Sequence, residues 1–230
     1  MKKTLSLAEK AYNTIKRDIL TCVLDQGTIF AQSEMVERYD FGITPVREAL
    51  KRLESEGYVQ SIPRFGFVIT SITIKDVEDL YELRQVLETA SVRMAIQHAT
   101  REQIAELQRR VNFTYTFKDR DSYMEFLEGN MDFHVSIAMM SGNRKLAEAL
   151  FRVLNEMTRI FNLGLDLRDS AEEMRHEHMA LVSALMARDL QAAEQIIRDQ
   201  LRRSRQRVVE KLVTRQEQKA NSEISFNLQT

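Results

Sequence analysis

Proline and cysteine are nearly missing. The 230 residues include two prolines, Pro45 and Pro63, and one cysteine, Cys22. A single thiol excludes an internal disulfide and suits a reducing compartment. Cys22 falls within a helical apolar pattern and reads as a small buried hydrophobe. No apolar stretch is long enough to span a bilayer, and Met1-Lys2-Lys3 has no apolar segment behind it. The expectation is therefore a cytoplasmic chain with no membrane anchor. Net charge is small as well, at −1, which argues against a protein that coats nucleic acid through bulk positive charge. Also absent are a glycine-rich phosphate loop, a nucleophile elbow and an HExxH helix, so nothing marks an enzyme. An enzyme with an accessory DNA-binding domain, or a helical scaffold, stays open as an alternative. What remains is enough for a core: 43% of residues are hydrophobic and 29% charged, at a length that suits one large or two small domains.

The first 70 residues carry mixed signals. Ser6-Leu7-Ala8-Glu9 has the spacing of a capping box, and Ala8, Ala11, Tyr12, Ile15, Ile19 and Cys22 follow the helical period, which predicts a helix over 6–23. A short helix is expected at about 32–39, and a third from Thr44-Pro45 to about Glu56, with Pro45 tolerated in a first turn. Tyr58 to Ile62 and Phe67 to Thr70, on either side of Pro63-Arg64-Phe65-Gly66, predict a hairpin. Charge is local here. Residues 44–52 hold Arg47, Lys51 and Arg52 against one acid, Glu48. Three helices and a hairpin in this order make a winged helix-turn-helix over 1–72.

From Lys75 onward the texture changes. There is no proline, glycine is sparse, and apolar residues keep a helical period. Helices are expected at about 75–98, 101–118, 121–141, 144–163, 170–187 and 189–214, giving an all-α bundle of about six helices over 73–218. Residues 219–230 lose the period and read as a flexible tail. The fold class is mostly α.

The string Thr44-Pro45-Val46-Arg47-Glu48-Ala49-Leu50, Leu53, Glu56-Gly57-Tyr58-Val59 and Pro63-Arg64-Phe65-Gly66-Phe67-Val68 strongly resembles the GntR family of regulators. The later residues Arg84 with Leu87-Glu88, Phe133-His134, Ser141-Gly142-Asn143, Glu177-His178 and Arg188-Asp189 resemble its FadR-like branch, whose ligand domain is an all-helical bundle. The resemblance implies a transcription regulator that binds palindromic double-stranded operator DNA as a homodimer and answers to a small metabolite. It places base contact on Arg47 and backbone contact on Thr44, and sets the wing tip, Arg64 to Gly66, against the minor groove. Lys51 and Arg52 extend this basic patch. Gly66 is expected to let the backbone approach phosphates closely. Two departures stand out: Gly42-Ile43-Thr44 replaces the usual Ser/Thr-Arg-Thr entry to the recognition helix, and Ser33 occupies a position where some members carry an arginine.

In the bundle, the resemblance matches Asn130, His134, His178 and Gln200 to positions that hold a divalent metal such as zinc or nickel in many members. Two imidazoles and two neutral amides make a weaker set than three histidines and a carboxylate. The alternative is a metal-free polar cavity. Arg84 is read either as a bidentate clamp for the carboxylate of a small organic acid, with His134 and His178 beside it, or as the partner of Glu88 four residues on.

Overall fold

The computed structural model describes residues 5–227, with side chains through residue 218. The chain divides into two compact units between Ile72 and Thr73. Each is described by itself.

In the first unit, α1 (Leu7–Leu20) opens on a reciprocal cap: Ser6 Oγ accepts the Glu9 N–H and Glu9 returns a carboxylate oxygen to the Ser6 N–H. It ends sooner than the periodicity predicts. Cys22 lies beyond the helix in the left-handed region, φ 57°, half-buried rather than in the core. Helices α2 (Gln32–Tyr39) and α3 (Ile43–Ser55) follow. The stripe Val46, Ala49, Leu50 and Leu53 of α3 is buried against Ala11, Tyr12, Ile15 and Ile19 of α1, the pairing that a 3.6-residue period dictates. Strands β1 (Ile29–Phe30), β2 (Val59–Ile62) and β3 (Gly66–Ile69) form one antiparallel sheet in the order β1-β3-β2. The two-residue strand β1 has no alternation to betray it. It pairs Ile29 with Val68 and Phe30 with Phe67, whose ring stacks on that of Phe30 at 6.0 Å.

The second unit holds seven helices among its described residues: α4 (Ile74–His98), α5 (Arg101–Arg110), α6 (Arg120–Met140), α7 (Arg144–Glu156), α8 (Thr158–Leu165), α9 (Ala171–Ala187) and α10 (Leu190–Asn227). Two predicted helices are corrected. The one expected over 101–118 stops at Arg110, because Val111, Phe113 and Tyr115 turn inward while Asn112 and Thr114 face out. That period of two belongs to extended chain. The one expected over 144–163 breaks at Met157 into α7 and α8. The Thr158 hydroxyl donates to the Leu154 carbonyl across this break, a back-bond that bends helices. Helix α10 continues through Lys219 to Asn227, where a loose tail was expected; the last three positions, 228–230, lie outside the described residues. Arg188, φ 58°, caps α4 from the far end of α9 by donating to the carbonyls of Ile96 and Ala99 at 2.8 and 2.5 Å, and Asp189 caps α10 through the Ala192 N–H. Arg188-Asp189 therefore has a structural task. No helix among the described residues is long and apolar enough to cross a membrane.

Candidate nucleic-acid interface and helical cavity

Helix α3 offers a polar outer face because its apolar stripe is fully used inside. Thr44, Arg47 and Lys51 are exposed, and Arg47 has no ion pair among the described residues. Ser33 is exposed in the first turn of α2. Arg64 is exposed at the hairpin tip with φ 72°, and Phe65 beside it is 70% exposed.

Two residues of the expected interface also have tasks inside their own unit. Arg52 is drawn back into its own unit: its Nε donates to Glu56 at 3.1 Å, and its guanidinium carbon sits 3.7 Å from the centre of the Tyr12 ring. Glu56 also accepts from Tyr12 and Lys16. The guanidinium braces α1 against α3 while its side chain stays 55% exposed. Gly66 is required for a reason other than phosphate approach. At φ 104° a Cβ there would meet the Phe30 carbonyl oxygen at 2.3 Å, so glycine is what allows β1 to lie against β3.

The other polar cluster is inside the bundle. On α4 the buried stripe Val77, Tyr81, Arg84, Glu88, Ser91, Val92 and Ala95 carries an ion pair in its middle. Arg84 Nε donates to Glu88 Oε1 at 2.5 Å, and both side chains are almost fully buried. The guanidinium also faces the Phe161 ring at 5.1 Å. His134 Nδ1 lies 2.8 Å from the second Glu88 oxygen, off the line of an ideal hydrogen bond, so that contact is electrostatic. Burial alone would raise the Glu88 carboxyl, but Arg84 and His134 outweigh it and hold it at about 2. His178 packs between Phe113 and Phe133 and edge-on to His134, ring centres 5.5 Å apart. Its burial, and then the neighbouring His134, push its pKa well below the ordinary value.

Arg84, Asn130, His134, His178 and Gln200 all border one cavity of about 30 Å³, together with Phe161, Met174, Ser204 and Arg207. The structure thus brings together the five residues matched to a ligand or metal site and adds Arg207. Its Nη1 is buried without a hydrogen-bond partner, as are both polar ends of Gln200 and Nδ1 of His178. A signal for Arg207 was available. Ala193, Ile197, Leu201, Val208 and Leu212 form the inward stripe of α10, and Gln200, Ser204 and Arg207 fall beside it.

The matched residues do not fit a divalent metal. Among the described residues no three histidine, cysteine or acidic side chains are grouped to hold one. The four donors carry no negative charge. Glu177 on the cavity wall is bound by Arg203 at 2.6 Å, Glu88 is engaged by Arg84 and His134, and two guanidinium groups border the same space. Zinc or nickel would meet positive charge with no anionic ligand to offset it.

Comparison with known proteins decides the identity. Residues 7–69 match the model of bacterial regulatory proteins of the gntR family, and residues 79–203 match the FCD domain. The chain belongs to the GntR family. This GntR-family regulator is 29% identical over 187 residues to YdhC of Bacillus subtilis, an uncharacterized HTH-type transcriptional regulator, covering 80% of this chain and 83% of the other. It is 24% identical to the transcriptional repressor RspR of Escherichia coli, covering 86% and 87%. To the Nta operon transcriptional regulator of Aminobacter aminovorans it is 30% identical, covering 70% and 74%. Its fold is that of Escherichia coli McbR/YncC, with a TM-score of 0.66 at 21% identity over 91% of this chain and all of the other. These relatives are regulators, not enzymes, and this chain is a DNA-binding transcription regulator of the branch with a helical FCD domain.

Proposed function

We propose that this regulator binds a palindromic operator as a homodimer in the cytoplasm, and that a small organic acid in the helical cavity sets its affinity for DNA. The observation that carries the effector reading is the unpartnered Nη1 of buried Arg207, next to a Gln200 with both ends unsatisfied. Buried polar atoms are nearly always hydrogen-bonded, and a buried cation without a partner is costly. A carboxylate answers both at once: it supplies the missing charge to Arg207 and accepts from Gln200 and His178. Arg207 therefore takes the anchoring role first given to Arg84, whose charge is already met by Glu88.

The cavity's size suggests how binding becomes a signal. About 30 Å³ holds roughly two water molecules, so an organic acid must displace the walls made by α8, α9 and α10. An effector shifts an equilibrium only through its different affinity for two arrangements, and a site that has to widen provides that difference.

A thermal-shift panel of short mono- and dicarboxylates, each beside its amide, tests the effector. An acid at 100 times its Kd adds about 2.7 kcal/mol to stability. The acid is expected to raise the melting temperature, its amide to leave it unchanged, and Arg207→Met to abolish the shift. An Arg207→Met protein that keeps the full shift with the same acid would remove Arg207 from the site.

A further inference from the structure

The reading face of α3 begins with an aliphatic side chain. Ile43 is the first residue of the helix and is 67% exposed. It stands four residues before Arg47 and eight before Lys51, so the three share one stripe, and all are exposed. Isolated exposed hydrophobics are common and need no explanation. This one differs in two respects. Its backbone is fixed: Gln32 on α2 donates from Nε2 to the Ile43 carbonyl at 3.2 Å, tying the first turn of α3 to the preceding helix. Its position is the N-terminal turn of the recognition helix, the part of a helix-turn-helix that meets base edges in the major groove.

The chemistry of that groove then names the contact. Base edges there present hydrogen-bond donors, acceptors and one apolar group, the 5-methyl of thymine. An isoleucine has nothing to offer the donors and acceptors, and desolvating them against it is unfavourable. Against the methyl it buries apolar surface on both sides. We propose that Ile43 reads a thymine 5-methyl group in each half-site, next to the base contacted by Arg47, and so makes one position of the operator a thymine. The occupant is the DNA that this helix already binds. The patch continues an interface that the family assigns to α3.

Deoxyuridine separates this contact from every other, because it lacks only the methyl and keeps the pairing and the hydrogen-bonding edge. The operator is first selected from randomised duplexes with the full-length protein. Each thymine of one half-site is then replaced in turn by deoxyuridine, and binding is measured at fixed salt for the wild type, Ile43→Ala and Ile43→Val. One replacement is expected to weaken the wild type about three- to fivefold, the worth of one buried methyl. It should leave Ile43→Ala unchanged and fall between for Ile43→Val. Selection repeated with Ile43→Ala should lose thymine at that position and keep the base read by Arg47. The proposal is overturned if no single deoxyuridine distinguishes wild type from Ile43→Ala, or if both proteins select the same thymine.

Discussion

Arg47 in the winged helix and Arg84 in the bundle carry the same charge in opposite surroundings. Arg47 stands exposed on α3 with no ion pair among the described residues, held out by a helix whose inner stripe is saturated with apolar contacts. Arg84 is buried on α4, and its charge is met inside the fold by Glu88, which His134 flanks on the other side. The first arrangement costs little in the free protein and leaves binding energy for DNA. The second settles its electrostatics during folding and so supports the shape of a cavity. Arg207 falls between the two: buried like Arg84, but with one nitrogen left unmatched as if for a partner from outside.

Removing the internal counter-charge breaks the contrast most sharply. Glu88→Gln keeps the shape of the side chain and leaves Arg84 buried without an anion. The expected loss is about 3–5 kcal/mol, seen by denaturant unfolding as a shift of the helical unit's transition, with that of residues 5–72 unmoved. Replacing the pair together, as Arg84→Met with Glu88→Leu, should recover much of the loss, because an apolar pair of similar volume needs no compensation. The exposed pair Arg144–Glu148 provides the reference at about 0–1 kcal/mol. If Glu88→Gln costs no more than Glu148→Gln, the buried pair is not what holds the cavity.

The two regions also differ in how far they can be read without coordinates. The α3 surface is legible because one local rule governs it: Val46, Ala49, Leu50 and Leu53 take the inside, and what lies between them must face out. The cavity assembles from α4, α6, α8, α9 and α10, so its members share no local spacing. Arg84, His134 and His178 follow from the resemblance, whereas Arg207 is one of several arginines on a long charged helix and only its place beside the apolar stripe of α10 sets it apart. Gly66 shows a different limit. Its need for a positive φ is written in the turn, but the Phe30 carbonyl that forbids a Cβ belongs to a strand too short to announce itself. The segment after Arg110 was a misreading of period, since Val111, Phe113 and Tyr115 alternate.

On the open side of the comparison, Arg47→Ala should lose about 1–3 kcal/mol on the selected operator and flatten the preference over scrambled DNA at the same salt. Arg52→Ala, four residues before Glu56 and stacked on Tyr12, should do the reverse and lower the melting temperature more than it alters sequence preference. Equal loss for Arg47→Ala on operator and scrambled duplexes would make Arg47 a phosphate contact, and the distinction between the two arginines of α3 would narrow.

The smallest expected effect concerns pH, and it tests whether His178 is as deeply buried as its geometry implies. Burial, then the nearby His134, lower the pKa of His178 well below its ordinary value. In the unfolded chain the same imidazole titrates near 6.5. Below that pH the unfolded state takes up a proton that the folded state refuses, so stability falls as pH falls and is level above the window. The slope is at most one proton's worth, about 1.4 kcal/mol per pH unit. Glu88 acts lower: its carboxyl is held at about 2, so its contribution is complete above the ordinary carboxylate range and lost as pH drops from there toward 2. Burial raises the Glu177 carboxyl, which acts with the opposite sign above the ordinary carboxylate range, so the histidine is read as the difference between wild type and His178→Leu between pH 5 and 7.5. His178→Leu should flatten that part of the profile. A His178→Leu profile as steep as the wild type's would mean that the folded protein admits a proton at His178, and that water reaches the wall it shares with Arg207 and Gln200.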